Sequence, residues 1–186
     1  MPAQFTILPG LPPYGPMALP FPTNGWRAHC EGIVIQFESQ DGNSWIGNFQ
    51  RGCFQFDKIL QHPDGKHVIV IAGGDGYIVD PEVPSNSKQM PGYVTYAEFL
   101  PHLDAVLFGD YTEFELLQAN GKGWISPRIS WDGIKDINIH GNELTGEAYS
   151  PIDDKWHPFK LDLLTGTCKD SIYEAQMATA IRIVKK

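Results

Sequence analysis

Residues 62–82, HPDGKHVIVIAGGDGYIVDPE, decide the fold class of this chain. The run Val68–Ala72 is apolar and mostly β-branched, which is typical of a strand buried on both faces. Glycines at 73, 74 and 76 interrupt the apolar run, and a second apolar run follows at Tyr77–Asp80. Gly-Gly and Asp-Gly pairs provide the positive φ angles of tight turns. The stretch therefore predicts a β-hairpin.

The same strand-turn-strand pattern recurs along the chain, with units that begin at Gly32, His67, Ala105 and Asp136. Apolar or aromatic runs alternate with turn dipeptides, as expected of meanders. Predicted turns are Asp41-Gly42, Asp64-Gly65, Asp75-Gly76, Asn120-Gly121, Asp132-Gly133 and Gly141-Asn142. Predicted strands are Gly32–Glu38, Trp45–Gln50, Phe56–Gln61, Lys66–Ala72, Tyr77–Asp80, Ala105–Gly109, Glu113–Gln118, Ile134–His140, Glu143–Tyr149 and Pro158–Leu163. The predicted class is all-β, with antiparallel meander sheets forming a β-sandwich or a partial propeller-like stack.

Two resemblances follow from these strings. The hairpin at 62–82 resembles a blade of a β-propeller, but about four such units cannot close a large propeller, and the resemblance implies no activity. The string Arg128-Ile129-Ser130-Trp131-Asp132-Gly133 is similar to an R-x-S-W-D-G strand-turn signature of uncharacterised bacterial β-rich proteins, and this likeness also implies no activity.

The string Gly73-Gly74-Asp75-Gly76 also resembles the GGDGT nucleotide loop of the diacylglycerol and sphingosine kinase family. In that family a threonine follows the last glycine and a helix begins there. Here Tyr77 stands at that position and an extended chain follows, so the helix N-terminus that would hold phosphate is missing. We predict a hairpin turn at this position.

The two ends of the chain depart from the meander pattern. Residues 1–22 contain seven prolines among eight large apolar residues, which excludes a helix or a central strand. We predict an extended proline-rich arm over residues 1–25 and a single β domain over 26–186. Ser171 and Glu174 form a capping box that predicts a short C-terminal helix, with Tyr173, Met177, Ala180, Ile181 and Val184 on one face.

Composition limits the class of protein. The chain has 186 residues, 42% hydrophobic and 19% charged, which is typical of a globular protein. No basic leader or long apolar run is present, and the three cysteines, Cys30, Cys53 and Cys168, have no paired spacing. We expect a cytoplasmic protein that needs no disulfide, membrane or cofactor.

Charge is concentrated in one quarter of the sequence. Residues 75–121 contain eight acids and one base, so they carry -7 of the net charge of -8. A nucleic-acid partner is disfavoured because phosphate binding needs clustered bases. The acidic residues are either a solvated face or a surface for a basic protein partner. The candidate partner-binding acids are Asp75, Asp104, Asp110, Glu113 and Glu115.

Motifs for catalysis or metal binding are weak. His62 and His67 flank a turn, but no third ligand stands at a recognisable spacing, so we predict no metal site. His29 and Cys30 are adjacent and would point to opposite faces of a strand. The pair Glu113 and Glu115 would share a strand face, which leaves a carboxylate-pair hydrolase as an alternative.

Aromatic residues are concentrated between Gly123 and Phe159. Trp124, Trp131, Trp156, Tyr149 and Phe159 either fill a sheet core or form a ligand or partner platform. In the second interpretation Trp124 and Trp131 bind the partner and Arg128 provides hydrogen bonds.

Together these features favour a non-enzymatic protein-binding domain. The most concrete hypothesis is an immunity- or inhibitor-type protein that covers a basic site on a partner such as a bacterial toxin. A small carbohydrate-binding β domain with exposed aromatics is the first alternative, and a carboxylate-pair hydrolase is the second. The sequence predicts neither the partner nor the oligomeric state.

Overall fold

The computed structural model describes residues 4–23 and 30–184, with side chains described up to residue 178. Its elements are β1 (Gln4–Leu8), β2 (Leu19–Phe21), β3 (Ile33–Glu38), β4 (Ser44–Phe49), β5 (Lys58–Gln61), β6 (Val68–Ala72), β7 (Asp75–Val79), a 3-10 turn (Pro84–Asn86), β8 (Lys88–Gln89), β9 (Tyr96–Leu100), β10 (Ala105–Gly109), β11 (Phe114–Gln118), β12 (Gly123–Ile125), β13 (Ile134–His140), β14 (Glu143–Ser150), β15 (Lys155–Asp162), β16 (Cys168–Lys169) and α1 (Ile172–Val184). The all-β prediction is confirmed. Within these residues no helix is long and apolar enough to cross a membrane.

The strands in residues 4–23 and 30–184 form four sheets of four strands each. The sheet orders are β1-β3-β4-β2, β5-β6-β7-β8, β9-β10-β11-β12 and β13-β14-β15-β16, so the last three are meanders of consecutive strands. Three of the four repeated hairpins are the central pair of their sheet. The fourth predicted hairpin, at Asp136, lies at one edge because β14 and β15 are the central pair there.

The proline-rich arm supplies both edges of the first sheet. Strand β1 pairs antiparallel with β3, and β2 pairs parallel with β4. Pro20 is tolerated because an edge strand leaves one side of its backbone unpaired. The arm is therefore extended, as predicted, and its two ends belong to the sheet.

The chain divides into two compact units. The first contains residues 1–106 and 118–120, and the second contains residues 107–117 and 121–186. The first boundary between the units falls within β10.

In the first unit the first two sheets enclose one apolar core. Phe37, Phe49 and Tyr77 are almost fully buried in it, and Phe21 of the arm stacks on Phe49 with ring centroids 4.8 Å apart. Aromatic side chains of this size each remove a large apolar area from water, so they dominate the stability of this core.

The hairpin that decides the fold has its turn two residues earlier than predicted. Gly73 and Gly74 have φ angles of 56° and 85°, whereas Asp75 and Gly76 already belong to β7. Two successive positive φ angles are the signature of a tight hairpin turn that matches strand twist. The Asp75-Gly76 turn prediction was wrong because Gly-Gly accepts this geometry more readily than Asp-Gly.

The second unit contains the fourth sheet and the helix. Leu144, Phe159 and Leu161 are buried in its sheet. The Ser171 hydroxyl accepts a hydrogen bond from the Glu174 backbone N–H at 3.2 Å, which confirms the predicted helix cap. Side chains of Ala180, Ile181 and Val184, which the predicted apolar face includes, lie outside the described residues.

Candidate functional site

Several acidic side chains have a structural role in turns. Asp64, Asp80, Asp110 and Asp162 each use Oδ1 to accept hydrogen bonds from the backbone N–H groups two and three residues later. This arrangement satisfies two backbone donors in each turn. Asp110 is one of the predicted partner-binding acids, and its carboxylate stabilises a turn of its own chain.

The remaining predicted acids are in different environments. Asp75 is half-buried and packs closely against Gly52. A Cβ atom at Gly52 would lie only 2.6 Å from Asp75 Oδ1. Asp104 is exposed, has a φ of 46° and precedes β10, whereas Asp110 follows β10. Asp104 and Asp110 thus lie at opposite ends of β10, and Asp75 lies in a different hairpin.

Glu113 and Glu115 alternate with the buried residues Phe114 and Leu116, so they share the other face of the strand. Burial and the neighbouring Asp110 raise the pKa of Glu113, and Arg128 opposes this shift. Burial and Glu113 raise the pKa of Glu115. This pair is the part of the predicted acidic surface that the structure brings together.

The predicted tryptophans are held by intramolecular contacts. Trp124 donates its indole N–H to the Leu163 carbonyl, at 3.0 Å, and covers Gly166. Trp131 donates to Gln176 at 2.7 Å and packs against Tyr173 of the helix. Both side chains are half-buried, so most of their ring surface serves the packing of the second unit.

Arg128 is exposed but also bonded within the chain. Its guanidinium donates to the carbonyls of Ser130 and Trp131 and lies 4.8 Å from the ring centre of Tyr173. These bonds fix the loop that contains the R-x-S-W-D-G string. The structure therefore gives Arg128 a role in fixing this loop.

Among the side chains that the structure describes, the most exposed large apolar ones belong to the arm. Residues 9–18, here called the arm loop, connect β1 to β2. Tyr14 and Met17 are 90% and 92% exposed, and Leu11 is 41% exposed. The backbone N–H of Leu11 donates to the Glu31 carboxylate at 3.1 Å, and the arm loop is held at both ends by the sheet. The sequence predicts an extended arm, and the prolines do not show which of its apolar side chains face solvent.

A polar cleft of about 880 Å³ opens in the first unit. Amide, hydroxyl and carboxylate groups line it, among them those of Gln36, Glu38, Ser44 and Glu82. The Glu82 carboxylate is engaged by the backbone N–H of Gln40. Such a lining suits a hydrophilic ligand.

One group of side chains has the composition of a metal site. His62, Asp64 and His67 place one ligand atom each within 4.8 Å of one another, and among the described residues no other such group of three occurs. The carboxylate of Asp64 lies 3.0 Å from His62 Nδ1 and 2.6 Å from His67 Nδ1. His29, which sequence analysis considered together with Cys30, lies outside the described residues.

Comparison with known proteins identifies no family. No family model matches the chain, and no curated protein is significantly similar to it. A crystal structure of puromycin hydrolase aligns with a TM-score of 0.35 and 20% identity over 74% of this chain and 24% of that chain. The chain thus spans about a quarter of that protein's length, and nothing about function is transferred from a likeness at this level.

Proposed function

We propose that the chain is a non-enzymatic protein-binding domain, most concretely an immunity- or inhibitor-type protein that covers a basic site on a partner such as a bacterial toxin. The observation that carries this proposal is the exposure of Tyr14 and Met17 on the arm loop. Tyrosine and methionine are enriched at protein interfaces and are poorly suited to solvent.

The arm loop is well prepared for binding. Burial of a large apolar side chain contributes roughly 1.5–3 kcal/mol, so Tyr14 and Met17 together offer a substantial part of a micromolar affinity. Four prolines, Pro9, Pro12, Pro13 and Pro16, restrict the loop, so ordering it on a partner costs little conformational entropy.

Charge supports a basic partner. The net charge is -8, and Glu113 and Glu115 present two carboxylates on one strand face. A negative surface accelerates the encounter with a basic protein, and the acceleration decreases as salt screens it.

A second candidate function, carbohydrate binding, is favoured by the polar cleft. Its carboxylate and amide groups match the hydroxyls of a sugar, although the tryptophans expected to stack on a sugar are engaged elsewhere in the second unit. Titration with mono- and oligosaccharides, followed by chemical-shift perturbation of Gln36 and Ser44, distinguishes this candidate from protein binding.

The protein-binding proposal is tested by affinity purification from the source cells and reconstitution with the purified partner. The double variant Tyr14→Ser/Met17→Ser is expected to weaken binding by about a hundredfold, since about 3 kcal/mol of apolar burial is lost. The matched control Ile152→Ser/Leu164→Ser removes two other exposed apolar side chains, which are 63% and 58% exposed, and should bind as the wild type.

Failure to recover a stoichiometric partner, or equal affinity of wild type and the arm-loop variant, would contradict the proposal. The non-enzymatic part is tested separately by hydrolase and phosphotransferase screens. Turnover that is abolished by Glu113→Gln would favour the carboxylate-pair hydrolase instead.

A further inference from the structure

The turn between β5 and β6 brings three potential ligands together. Asp64 accepts backbone hydrogen bonds from Lys66 and His67, and the His62 N–H donates to the His67 carbonyl at 3.0 Å. The Gly65 N–H donates to the His62 carbonyl at 2.9 Å and closes the turn. Four backbone bonds therefore fix the positions from which the three side chains extend.

The ring nitrogens and the carboxylate oxygens of this group lie close together. His62 Nδ1 lies 3.1 Å from the backbone nitrogen of Asp64 and 3.0 Å from Asp64 Oδ1. An unprotonated imidazole nitrogen has one lone pair, so Nδ1 exchanges the hydrogen bond from the Asp64 N–H for the metal ion when it acts as a ligand.

Burial differs between the two imidazoles of this group, because the His62 side chain is 8% exposed and the His67 side chain is 33% exposed. A neutral imidazole is the form that binds metal ions. His67 Nδ1 lies 2.6 Å from Asp64 Oδ2, and transfer of its proton to Nε2 frees a third lone pair.

We propose that His62, Asp64 and His67 form a binding site for a zinc ion. Two imidazole nitrogens and a carboxylate are ligands that zinc prefers, at about 2.0–2.2 Å. Around a tetrahedral ion with such bonds, ligand atoms lie roughly 3.3 Å apart. The observed separations of 2.6 Å and 3.0 Å are shorter than this, so the Asp64 carboxylate moves away from both imidazoles when the ion binds.

The site has room for a fourth ligand. His67 and Lys66 border the polar cleft of the first unit, and the His67 side chain is 33% exposed. A water molecule or a ligand in the cleft can complete the coordination. The site is independent of the arm loop, so it goes beyond the proposed function.

Sequence reasoning passed over this site because Asp64 was counted only as a turn residue. The spacing H-x-D-x-x-H spans one hairpin turn, and spacing alone does not show that the turn directs all three side chains to one point. The backbone bonds to Asp64 supply that information.

The proposal is tested by isothermal titration of tag-free, chelator-treated protein with zinc chloride. The expected result is one zinc ion per chain, with affinity reduced at least about tenfold in His62→Gln and in His67→Gln. The matched control His140→Gln replaces an exposed histidine at the end of β13 and should bind zinc as the wild type. His62 is buried, so His62→Gln is the variant more prone to misfolding. His67 is partly exposed, so His67→Gln should fold and still tests the site. Circular dichroism verifies the folding of both variants.

Cobalt substitution provides an independent readout of the ligand set. The proposed site predicts d–d bands without a thiolate charge-transfer band, which separates it from binding by Cys30, Cys53 or Cys168. Absence of saturable zinc binding, zinc binding unaffected in both His62→Gln and His67→Gln, or a thiolate band would overturn the proposal.

Discussion

At the scale of single residues, four of the 22 acidic residues are aspartates whose carboxylates accept backbone hydrogen bonds in turns. Asp64, Asp80, Asp110 and Asp162 each satisfy two backbone donors, so their carboxylates serve as hydrogen-bond acceptors first and as charges second. Net charge by itself therefore overstates the size of an acidic binding surface.

This role predicts a difference between two substitutions of Asp110. Asp110→Ala should lower the free energy of unfolding by about 1–2 kcal/mol, because two backbone N–H groups and the Thr112 hydroxyl lose their acceptor. Asp110→Asn keeps an acceptor oxygen and removes the charge, so it should cost less than half as much. Urea denaturation measures both, and equal losses would show that the charge matters more than the hydrogen bonds.

The buried imidazole of His62 predicts a pH dependence of stability in the presence of chelator. Its pKa is lowered in the folded protein from 6.5, so the unfolded chain takes up the proton first as the pH falls. Stability should therefore decrease as the pH falls through about 6.5. The loss between pH 7.5 and 5.5, measured by thermal melting, should be smaller in His62→Gln than in the wild type. An equal loss in both proteins would assign the effect to other groups.

At the scale of secondary-structure elements, the arm contains both buried and exposed apolar side chains. Phe21 in β2 is 5% exposed and packs against Phe49, Trp45 and Tyr77. The arm loop between β1 and β2 leaves Tyr14 and Met17 in solvent. The strands fix the position of the loop, and the loop presents side chains that the chain's own core does not use.

This difference in burial predicts that two aromatic substitutions in the same arm change the free energy of unfolding by very different amounts. Phe21→Ala should lower the free energy of unfolding by about 3–5 kcal/mol, because it leaves a cavity in the core of the first unit. Tyr14→Ala should change it by less than about 0.5 kcal/mol, because the side chain is exposed. Chemical denaturation of both variants is the measurement, and a large loss in Tyr14→Ala would show that the arm loop packs on the protein.

The same elements show how far sequence reasoning reached. Ten strands were predicted within a few residues of their observed bounds, since continuous apolar runs such as Val68–Ala72 have few alternatives. The six missed strands, β1, β2, β8, β9, β12 and β16, all lie at the edges of sheets, where a mixed burial pattern and short length remove the periodic signal. Pro20 in β2 made that strand difficult to recognise.

The candidate sites were less predictable than the fold. Trp124 and Trp131 could be core or platform in sequence, and only their bonds to Leu163 and Gln176 distinguish the two. The exposure of Tyr14 was not predictable either. A proline-rich segment has no helical or strand periodicity, so its sequence does not show which side chains face solvent.

At the scale of the whole molecule, charge steering is the property to test. Glu113 and Glu115 are suitable for charge reversal because neither carboxylate is an acceptor in the turn that Asp110 closes. Glu113→Lys/Glu115→Lys should slow association with a basic partner more than it accelerates dissociation, and the difference should shrink at high salt. Association rates that are independent of both salt and the reversal would leave these residues as a solvated face.

The central claim is that the arm loop contacts a protein partner, and site-specific photo-crosslinking tests it most directly. A benzophenone amino acid at position 14 should crosslink to the partner in a complex formed from purified proteins, whereas the same amino acid at position 152 should not. Both positions are exposed, at 90% and 63%, so accessibility alone does not distinguish them. Crosslinks to the partner from position 152 and none from position 14 would contradict the account.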